Sequence, residues 1–217
     1  MTRQFPKIFV SIVFDWLQKS VCLVRWASCL SSVFPITAGV RQGGLLSIAL
    51  FAIYIDDLIK RLKASKFGCH LNGVYYGCLV YADDTLLLSH SVQTMQYMLD
   101  ICDSYAIDYD IKFNCEKSAV LRIGPRHCCS CAELTLSGKS LIYVTSIKYL
   151  GVYITTAKRF KCSYDHVKLK FYRAFNALYY RSRCSNSELV TVKLFKSYCL
   201  PLLLYAVKSS APSKKGY

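Results

Sequence analysis

Asp83 and Asp84 are adjacent carboxylates with apolar runs on both sides, Cys78-Leu79-Val80 before them and Leu86-Leu87-Leu88 after them. Two β-prone runs around a short polar turn predict a hairpin over residues 74–88. Carboxylates held side by side repel each other and stay ionised easily only when they are solvated or neutralised by a cation. Mg²⁺ suits such a pair, because it prefers carboxylate oxygens and leaves positions open for substrate phosphates. A polar turn without a ligand is the alternative, since Asp is common in turns.

The pair Asp56-Asp57 is of a different kind. It lies within residues 48–62, where apolar residues recur at helical spacing. Lys60 and Arg61 each follow one of the two aspartates by four residues, so we expect ordinary ion pairs on a solvated helix face. Ser47 is the predicted N-cap of this helix.

Further helices and strands must surround the hairpin. Residues 8–34 predict a helix that runs into a strand, and residues 35–47, rich in Gly, predict a loop. An amphipathic helix follows Ser91. The next predictions, in chain order, are a strand at Lys117–Ile123, a loop at Gly124–Ala132 and a strand region at Leu141–Ile154. A basic helix follows at about 163–181, with an inward face of Val167, Phe171, Ala174 and Leu178. The last helix opens at a Ser185-to-Glu188 capping box and is ended or kinked by Pro201. This mixture predicts an α+β fold.

Five short motifs follow one another in a fixed order along the chain. Tyr81-Ala82-Asp83-Asp84 resembles the Tyr-x-Asp-Asp hairpin of that family, and the chain resembles most its non-LTR, LINE-type retrotransposon branch. The other four motifs are Gly39–Ser47 before the hairpin, Phe113–Ser118 (Asn-x-x-Lys-Ser), Tyr149–Val152 (a Leu-Gly strand) and Cys199–Tyr205 (the thumb helix). Motifs in a fixed order are far more specific than any one alone.

The resemblance implies roles for individual residues. Asp83 and Asp84 would be the metal-binding catalytic carboxylates of a two-metal Mg²⁺ site, and Lys117 would lie near the departing pyrophosphate. Nucleotide and template would contact Arg41, Gln42, Gly43, Tyr81 and Ala82. The primer strand would be held by Tyr149, Leu150 and Gly151.

The resemblance also implies a fold with two parts. Residues 1–157 would be a polymerase palm with the antiparallel Tyr-x-Asp-Asp hairpin and flanking helices, and residues 158–217 the start of a helical thumb. We find no match before Gly39 to the Ala-Phe-Asp-type strand that supplies another catalytic carboxylate, and Asp15 is a poor substitute for it. We therefore expect a partial palm, without fingers and without the first catalytic strand, that is inactive or nearly so by itself.

Charge is concentrated near the C-terminus. The chain has a formal net charge of +15, and residues 158–217 hold 13 Lys and Arg against two acidic residues. This distribution favours an anionic partner, nucleic acid first. Bases and the aromatics Tyr172, Tyr179 and Tyr180 interleave in a predicted nucleic-acid track of Lys168, Lys170, Arg173, Arg181 and Arg183. A solvated basic helix whose aromatics lie in the core is the alternative.

Composition excludes several classes. A hydrophobic fraction of 53% excludes a disordered basic tail. No signal peptide or run long enough to span a bilayer is visible, so we expect an intracellular protein, in nucleus or cytoplasm, with mostly buried free thiols among its 12 cysteines and no membrane partner. His127-Cys128-Cys129-x-Cys131 is poorly spaced for structural zinc.

The sequence therefore predicts a fragment of an RNA-directed DNA polymerase of a retrotransposon. Its expected partners are an RNA template, a DNA primer and deoxynucleoside triphosphates, with Mg²⁺ as cofactor. The alternative is a non-catalytic nucleic-acid-binding remnant of such a polymerase. A basic membrane-surface protein ranks last, because the apolar stripes resemble core.

Overall fold

The computed structural model describes residues 5–37, 39–40, 43–183 and 187–207 of the chain. Helices and strands are mixed along it, in agreement with the expected α+β class. The helices are α1 (Lys7–Gln18), α2 (Leu45–Ala64), α3 (Val92–Asp108), α4 (Asp165–Ser182), α5 (Glu188–Leu194) and α6 (Leu200–Val207), with a π-helical stretch, Phe195–Cys199, between α5 and α6.

Strands in the described residues are short and pair mostly with near neighbours. The antiparallel pairs are β1 (Val21–Cys22) with β4 (Phe34–Pro35), β2 (Arg25–Trp26) with β3 (Cys29–Leu30), β5 (His70–Leu71) with β6 (Val74–Tyr75), β7 (Cys78–Tyr81) with β8 (Asp84–Leu87), and β10 (Thr135–Leu136) with β11 (Lys139–Ser140). β9 (Ala119–Val120) and β12 (Ile142–Tyr143) pair in parallel. β13 (Ser146–Tyr149), β14 (Val152–Thr155) and β15 (Lys161–Ser163) form a three-stranded antiparallel sheet.

Two predicted strand regions are broken up. Within Lys117–Ile123, only Ala119–Val120 pair as a strand. The region Leu141–Ile154 divides into β12, β13 and the first part of β14, because Leu150 and Gly151 turn the chain with positive φ values of 45° and 82°.

Helix α2 begins two residues before the predicted Ser47 cap. Gly44, in an extended conformation, is the N-cap and makes no side-chain hydrogen bond. Ser47 is instead buried inside the first turn, where its N–H donates to the Gly44 carbonyl. Glycine is an acceptable N-cap, so the two leucines that follow it join the helix.

The core lies between α2, α3 and the β7–β8 hairpin. The buried residues of the predicted amphipathic helix α3 are Met98, Leu99, Cys102 and Tyr105. Ser91 caps this helix by accepting from the Thr94 N–H. The hydroxyl of Tyr105 donates to the Tyr54 carbonyl, which ties α3 to α2. The buried cluster consists of Ile55, Leu58, Leu62, Cys78, Met98, Leu99, Cys102, Tyr105, Leu134, Leu136 and Leu141.

Side chains of α3 also hold the β10–β11 hairpin. The Gln96 amide donates to the Thr135 carbonyl at 3.0 Å and accepts from the Thr135 N–H at 2.9 Å. The Asp103 carboxylate accepts from the N–H and hydroxyl of Ser137 at 2.8 to 3.0 Å. These bonds give the backbone groups of Thr135 and Ser137 the partners that a neighbouring strand would otherwise supply.

The C-terminal helices differ from prediction at the cap of α5. Ser187 caps α5 by accepting from the Val190 N–H, and the predicted cap Ser185 lies outside the described residues. Glu188 is thus the first helical residue and cannot reach back as the predicted capping box requires. Pro201 does not end the helix, because α6 continues to Val207. The π-helical stretch directly before Pro201 accommodates its missing N–H.

Residues 5–37 have no buried side chain in the structure. They form α1, as predicted, followed by β1 to β4. Apolar side chains on α1 are exposed, among them Ile8 at 77% and Phe14 at 60%. Within the described residues, no helix combines the length and apolarity needed to cross a membrane.

Candidate active site

The Asp83-Asp84 pair is at the tip of the β7–β8 hairpin. Cys78 opposes Leu87 and Val80 opposes Thr85, while Tyr81 opposes Asp84 at the end of the ladder. Cys78, Val80 and Leu87 pack in or against the core, so the base of the hairpin is fixed. The Leu88 N–H also donates to the Gly77 carbonyl at 2.8 Å. A rigid base therefore presents exposed carboxylates at the tip.

The turn itself consists of Ala82 and Asp83. Ala82 has a φ of 51°, in the left-handed region that is costly for a residue with a Cβ. Tyr81, beside the turn, is 63% exposed. The strained residue thus lies directly before the two carboxylates, and strain of this kind clusters at functional sites.

Tyr149 at the end of β13 lies near Asp84. The pKa of the Tyr149 hydroxyl is raised, first by burial and then by the negative charge of Asp84. The charge of a predicted metal-binding carboxylate therefore acts on a residue of the predicted primer-holding motif 65 positions later in the chain.

Leu150 and Gly151 form the two-residue turn between β13 and β14. Both have positive φ, which is the type I′ pattern of tight hairpins. A Cβ on Gly151 would lie 2.9 Å from Cε1 of Tyr205, and the Tyr205 hydroxyl donates to the Leu150 carbonyl at 3.5 Å. Tyr205 of α6 therefore contacts this turn at a place where a Cβ on residue 151 would crowd its ring.

Lys117 follows a turn built by Asn114. The Asn114 Oδ1 accepts from the N–H groups of Glu116 and Lys117, both at 3.1 Å, and the Ser118 hydroxyl donates to the Asn114 carbonyl at 2.9 Å. Sequence reasoning assigned no role to Asn114, although its place in the Asn-x-x-Lys-Ser motif is the signal for this Asx turn. Lys117 is exposed, and no described hydrogen bond or ion pair joins it to Asp83 or Asp84.

The predicted nucleotide-binding loop is described only in part. Arg41 and Gln42 lie outside the described residues. Gly43 is exposed with a φ of 77° and directly precedes the N-cap of α2.

The basic residues predicted as a nucleic-acid track are exposed on α4 and its C-cap. They are Lys168, Lys170, Arg173, Arg181 and Arg183. Tyr172, Tyr179 and Tyr180 are 60%, 52% and 72% exposed, so these aromatics are not core. Val167, Phe171, Ala174 and Leu178 form the half-buried face of α4, as predicted.

The other acidic pair shares one lysine of its own helix. The Lys60 Nζ lies 2.9 Å from Asp56 and 3.1 Å from Asp57. The predicted pair of Arg61 with Asp57 was wrong, because Arg61 instead contacts Asp108 of α3 at 2.6 Å. Two hydrogen-bonded aspartates raise the pKa of Lys60. On α1, Asp15 pairs with Lys19 at 2.6 Å, so its carboxylate is already occupied.

No group of three or more His, Cys, Asp and Glu side chains in the described part of the chain is placed to hold a metal ion. Asp83 and Asp84 are thus a two-carboxylate site there. Cys128 contacts the His127 ring at 3.0 Å without assembling a four-ligand zinc centre. The expectation of mostly buried thiols was wrong, since of the eleven described cysteines only Cys78, Cys102 and Cys199 are buried.

An α+β chain with exposed carboxylates on a hairpin tip fits the class of nucleotide-polymerising enzymes. Comparison with known families gives the class directly. The family described as reverse transcriptase (RNA-dependent DNA polymerase) matches residues 2–154, and the chain belongs to this family.

The relatives that the chain matches are proteins of mobile elements. The chain is 24% identical over 223 residues to the RNA-directed DNA polymerase from mobile element jockey of Drosophila melanogaster, a match that covers 99% of this chain and 24% of that protein. It is 26% identical over 166 residues to the Retrovirus-related Pol polyprotein from type-2 retrotransposable element R2DM of Drosophila melanogaster, covering 73% of this chain and 16% of that protein. The predicted membership in the non-LTR retrotransposon branch is thus confirmed. The chain spans about a quarter of the length of the jockey protein.

Proposed function

We propose that this chain contributes the catalytic hairpin of an RNA-directed DNA polymerase. In this proposal residues 1–157 belong to the palm and residues 158–217 begin the thumb. The observation that carries it is the pair of exposed carboxylates at the tip of a hairpin with a packed base, and the charge of Asp84 also acts on Tyr149. A polymerase needs metal-binding carboxylates and a grip on the primer end at one place, and these two elements supply both.

Asp83 and Asp84 have the donor chemistry that Mg²⁺ requires. Both carboxylates are exposed, and Mg²⁺ binds through one or two carboxylates together with waters and substrate phosphates. Two bound metal ions would supply activation of the primer 3′-hydroxyl and neutralisation of the triphosphate, with Asp83 and Asp84 among the residues that hold them. A complete two-metal clamp requires a further carboxylate, and no third ligand is close enough among the described residues. We therefore propose that the chain alone is inactive or nearly so.

The chain's own residues would position the substrates. Tyr81 and Ala82 would contact the primer end, and Tyr149, Leu150 and Gly151 would hold the primer strand against the hairpin tip. Arg41, Gln42 and Gly43 would contact the incoming nucleotide and the template. Lys117, set by the Asn114 turn, would neutralise charge on the departing pyrophosphate.

The proposed partners are an RNA template, a DNA primer and deoxynucleoside triphosphates. The exposed track on α4 supports this, because phosphates attract its five cations and the exposed tyrosines offer faces on which bases stack.

Metal binding tests the hairpin with a matched control in the same chain. Mn²⁺ replaces Mg²⁺ as a paramagnetic probe and broadens NMR signals of nearby residues. We expect broadening at Tyr81 and Ala82 that Asp83→Asn with Asp84→Asn removes. Asp56→Asn with Asp57→Asn should leave it unchanged, since that pair lies on α2 and both its carboxylates are ion-paired with Lys60. Equal effects of the two double variants would refute the site.

Primer extension tests the proposed lack of activity. With a primed RNA template, deoxynucleoside triphosphates and Mg²⁺, the chain should extend no more primer than the Asp83→Asn variant. Extension by the wild-type chain that Asp83→Asn abolishes would show that the carboxylate set is complete, contrary to our proposal.

A binding remnant is the second candidate, favoured by the exposed basic and aromatic face of α4. It predicts template–primer binding that weakens steeply with salt and no turnover under any metal condition. Extension by the wild-type chain would exclude it. We further propose that the protein acts inside the cell, in nucleus or cytoplasm, where its exposed thiols Cys22, Cys29, Cys128 and Cys129 stay reduced.

A further inference from the structure

The loop between β14 and β15 combines three cations with an exposed aromatic ring. Lys158, Arg159 and Lys161 flank Phe160, which is 65% exposed. Residues 157–161 line an open cavity of about 530 Å³. None of the described ion pairs involves these three cations. The nearest acidic residue in sequence, Asp165, accepts a hydrogen bond from the Ser163 hydroxyl at 3.0 Å.

Hydrogen bonds hold both ends of this loop, so its exposed tip is presented on a fixed base. The Gly124 N–H donates to the Ala157 carbonyl at 2.9 Å, and the Thr156 hydroxyl donates to the Arg122 carbonyl at 2.7 Å. Thr155 and Lys161 close the β14–β15 ladder.

We propose that this loop, residues 157–161, is a second nucleic-acid contact, separate from the track on α4. Its cations bind backbone phosphates and the Phe160 ring stacks on a base. Unpaired cations beside an exposed ring on a fixed base suit a polyanion that also carries flat apolar faces. An anionic lipid surface offers the charge but no base to stack.

The position of the loop sets where along the strand it would act. It lies at the end of β14 opposite to the Leu150–Gly151 turn. Four residues of β14 span roughly 10 Å, which is about three nucleotide steps of a duplex strand. This placement rests on the proposed primer grip at that turn. The probe is therefore a template–primer, and its duplex of at least about ten base pairs extends well beyond these three steps.

Salt dependence tests the charge. The variant Lys158→Gln/Arg159→Gln/Lys161→Gln should lower the slope of log Kobs against log salt by about 2.7, at about 0.9 for each lost phosphate contact. Between 50 and 200 mM salt, wild-type affinity would then fall about 40-fold more than the variant's affinity. The control Lys63→Gln/Lys112→Gln/Lys139→Gln removes three exposed lysines elsewhere and should leave the slope nearly unchanged.

Substitution of the ring tests stacking independently of charge. Phe160→Ala should weaken binding at least about fivefold without changing the salt slope, and Phe160→Trp should restore it. A lower salt slope of log Kobs in the loop variant but not in the control variant, together with restored binding in Phe160→Trp, supports the inference.

Three results would overturn it. Equal slopes for the loop and control variants overturn the loop contact but leave the proposed polymerase function standing, provided that the wild-type chain binds. No binding by the wild-type chain overturns both. Loss of phosphatidylserine-vesicle binding with unchanged template–primer binding would assign the loop to a membrane surface instead.

Discussion

Replacing Gly151 by alanine tests whether Tyr205 of α6 contacts the β13–β14 turn. Gly151 has a φ of 82°, where a residue with a Cβ costs roughly 1–2 kcal/mol. The new Cβ would also lie 2.9 Å from Cε1 of Tyr205, well inside the normal carbon contact of about 3.5 Å. Overpacking costs about 1–3 kcal/mol, and the exposed Tyr205 ring can rotate, so we assign about 1 kcal/mol to the clash.

Gly138 provides a matched control. It also occupies a two-residue turn, between β10 and β11, with a φ of 72°, but a Cβ there meets nothing within 4 Å. Gly138→Ala should therefore lower the free energy of unfolding by the backbone cost alone, about 1–2 kcal/mol. Gly151→Ala should lower it by about 2–3 kcal/mol, because the clash adds to the backbone cost.

Urea unfolding followed by circular dichroism measures both variants, and Tyr205→Ala completes a double-mutant cycle with Gly151→Ala. We expect a coupling of about 1 kcal/mol, since removal of the ring relieves the clash. The reasoning fails if Gly151→Ala and Gly138→Ala cost the same, or if the cycle shows no coupling.

Three further predictions concern the supporting structure. Asn114→Ala should accelerate hydrogen exchange at the amides of residues 116–117, whereas Asn114→Asp, which keeps the acceptor oxygen, should not. Burial raises the pKa of Cys102 from 9.0 to about 12, so the unfolded chain loses this proton first and the free energy of unfolding falls as pH rises above 9. Cys102→Ala should remove up to about 1.4 kcal/mol per pH unit of that slope between pH 9 and 10, and an unchanged slope in urea titrations would contradict this. Gln96→Ala should cost about 1–2 kcal/mol through its two lost bonds to the backbone of β10, against little change for Gln93→Ala on the exposed face of α3.

The spacing of hydrophobic residues predicted the helices that bury one face. Leu58, Leu62 and Met98 are fully buried at the positions that helical spacing indicates. It could not fix the start of α2, because Gly44 caps the helix without a side-chain signal. The Asn72-Gly73 and Ser137-Gly138 turns have positive φ at all four residues. Both pairs are sequence signals of two-residue hairpins, and the predictions above did not include them.

Tertiary geometry explains the other differences. Arg61 satisfies the i,i+4 rule toward Asp57, yet α3 passes close enough for Asp108 to take its guanidinium. Local spacing carries no information about such a neighbouring helix. The electrostatic interaction between Tyr149 and Asp84 is equally non-local, and neither spacing nor periodicity predicts it.

The π-helical stretch Phe195–Cys199 decides how the contact of Tyr205 with the turn responds to changes in helix length. Its i→i+5 bonds hold one residue more per turn than α-helical bonds do. Deleting one residue there would let the stretch close as α-helix and leave Tyr205 facing Leu150 and Gly151. Deleting one residue between Leu200 and Tyr205 would instead rotate everything after it by about 100°, so Tyr205 would point away from the turn.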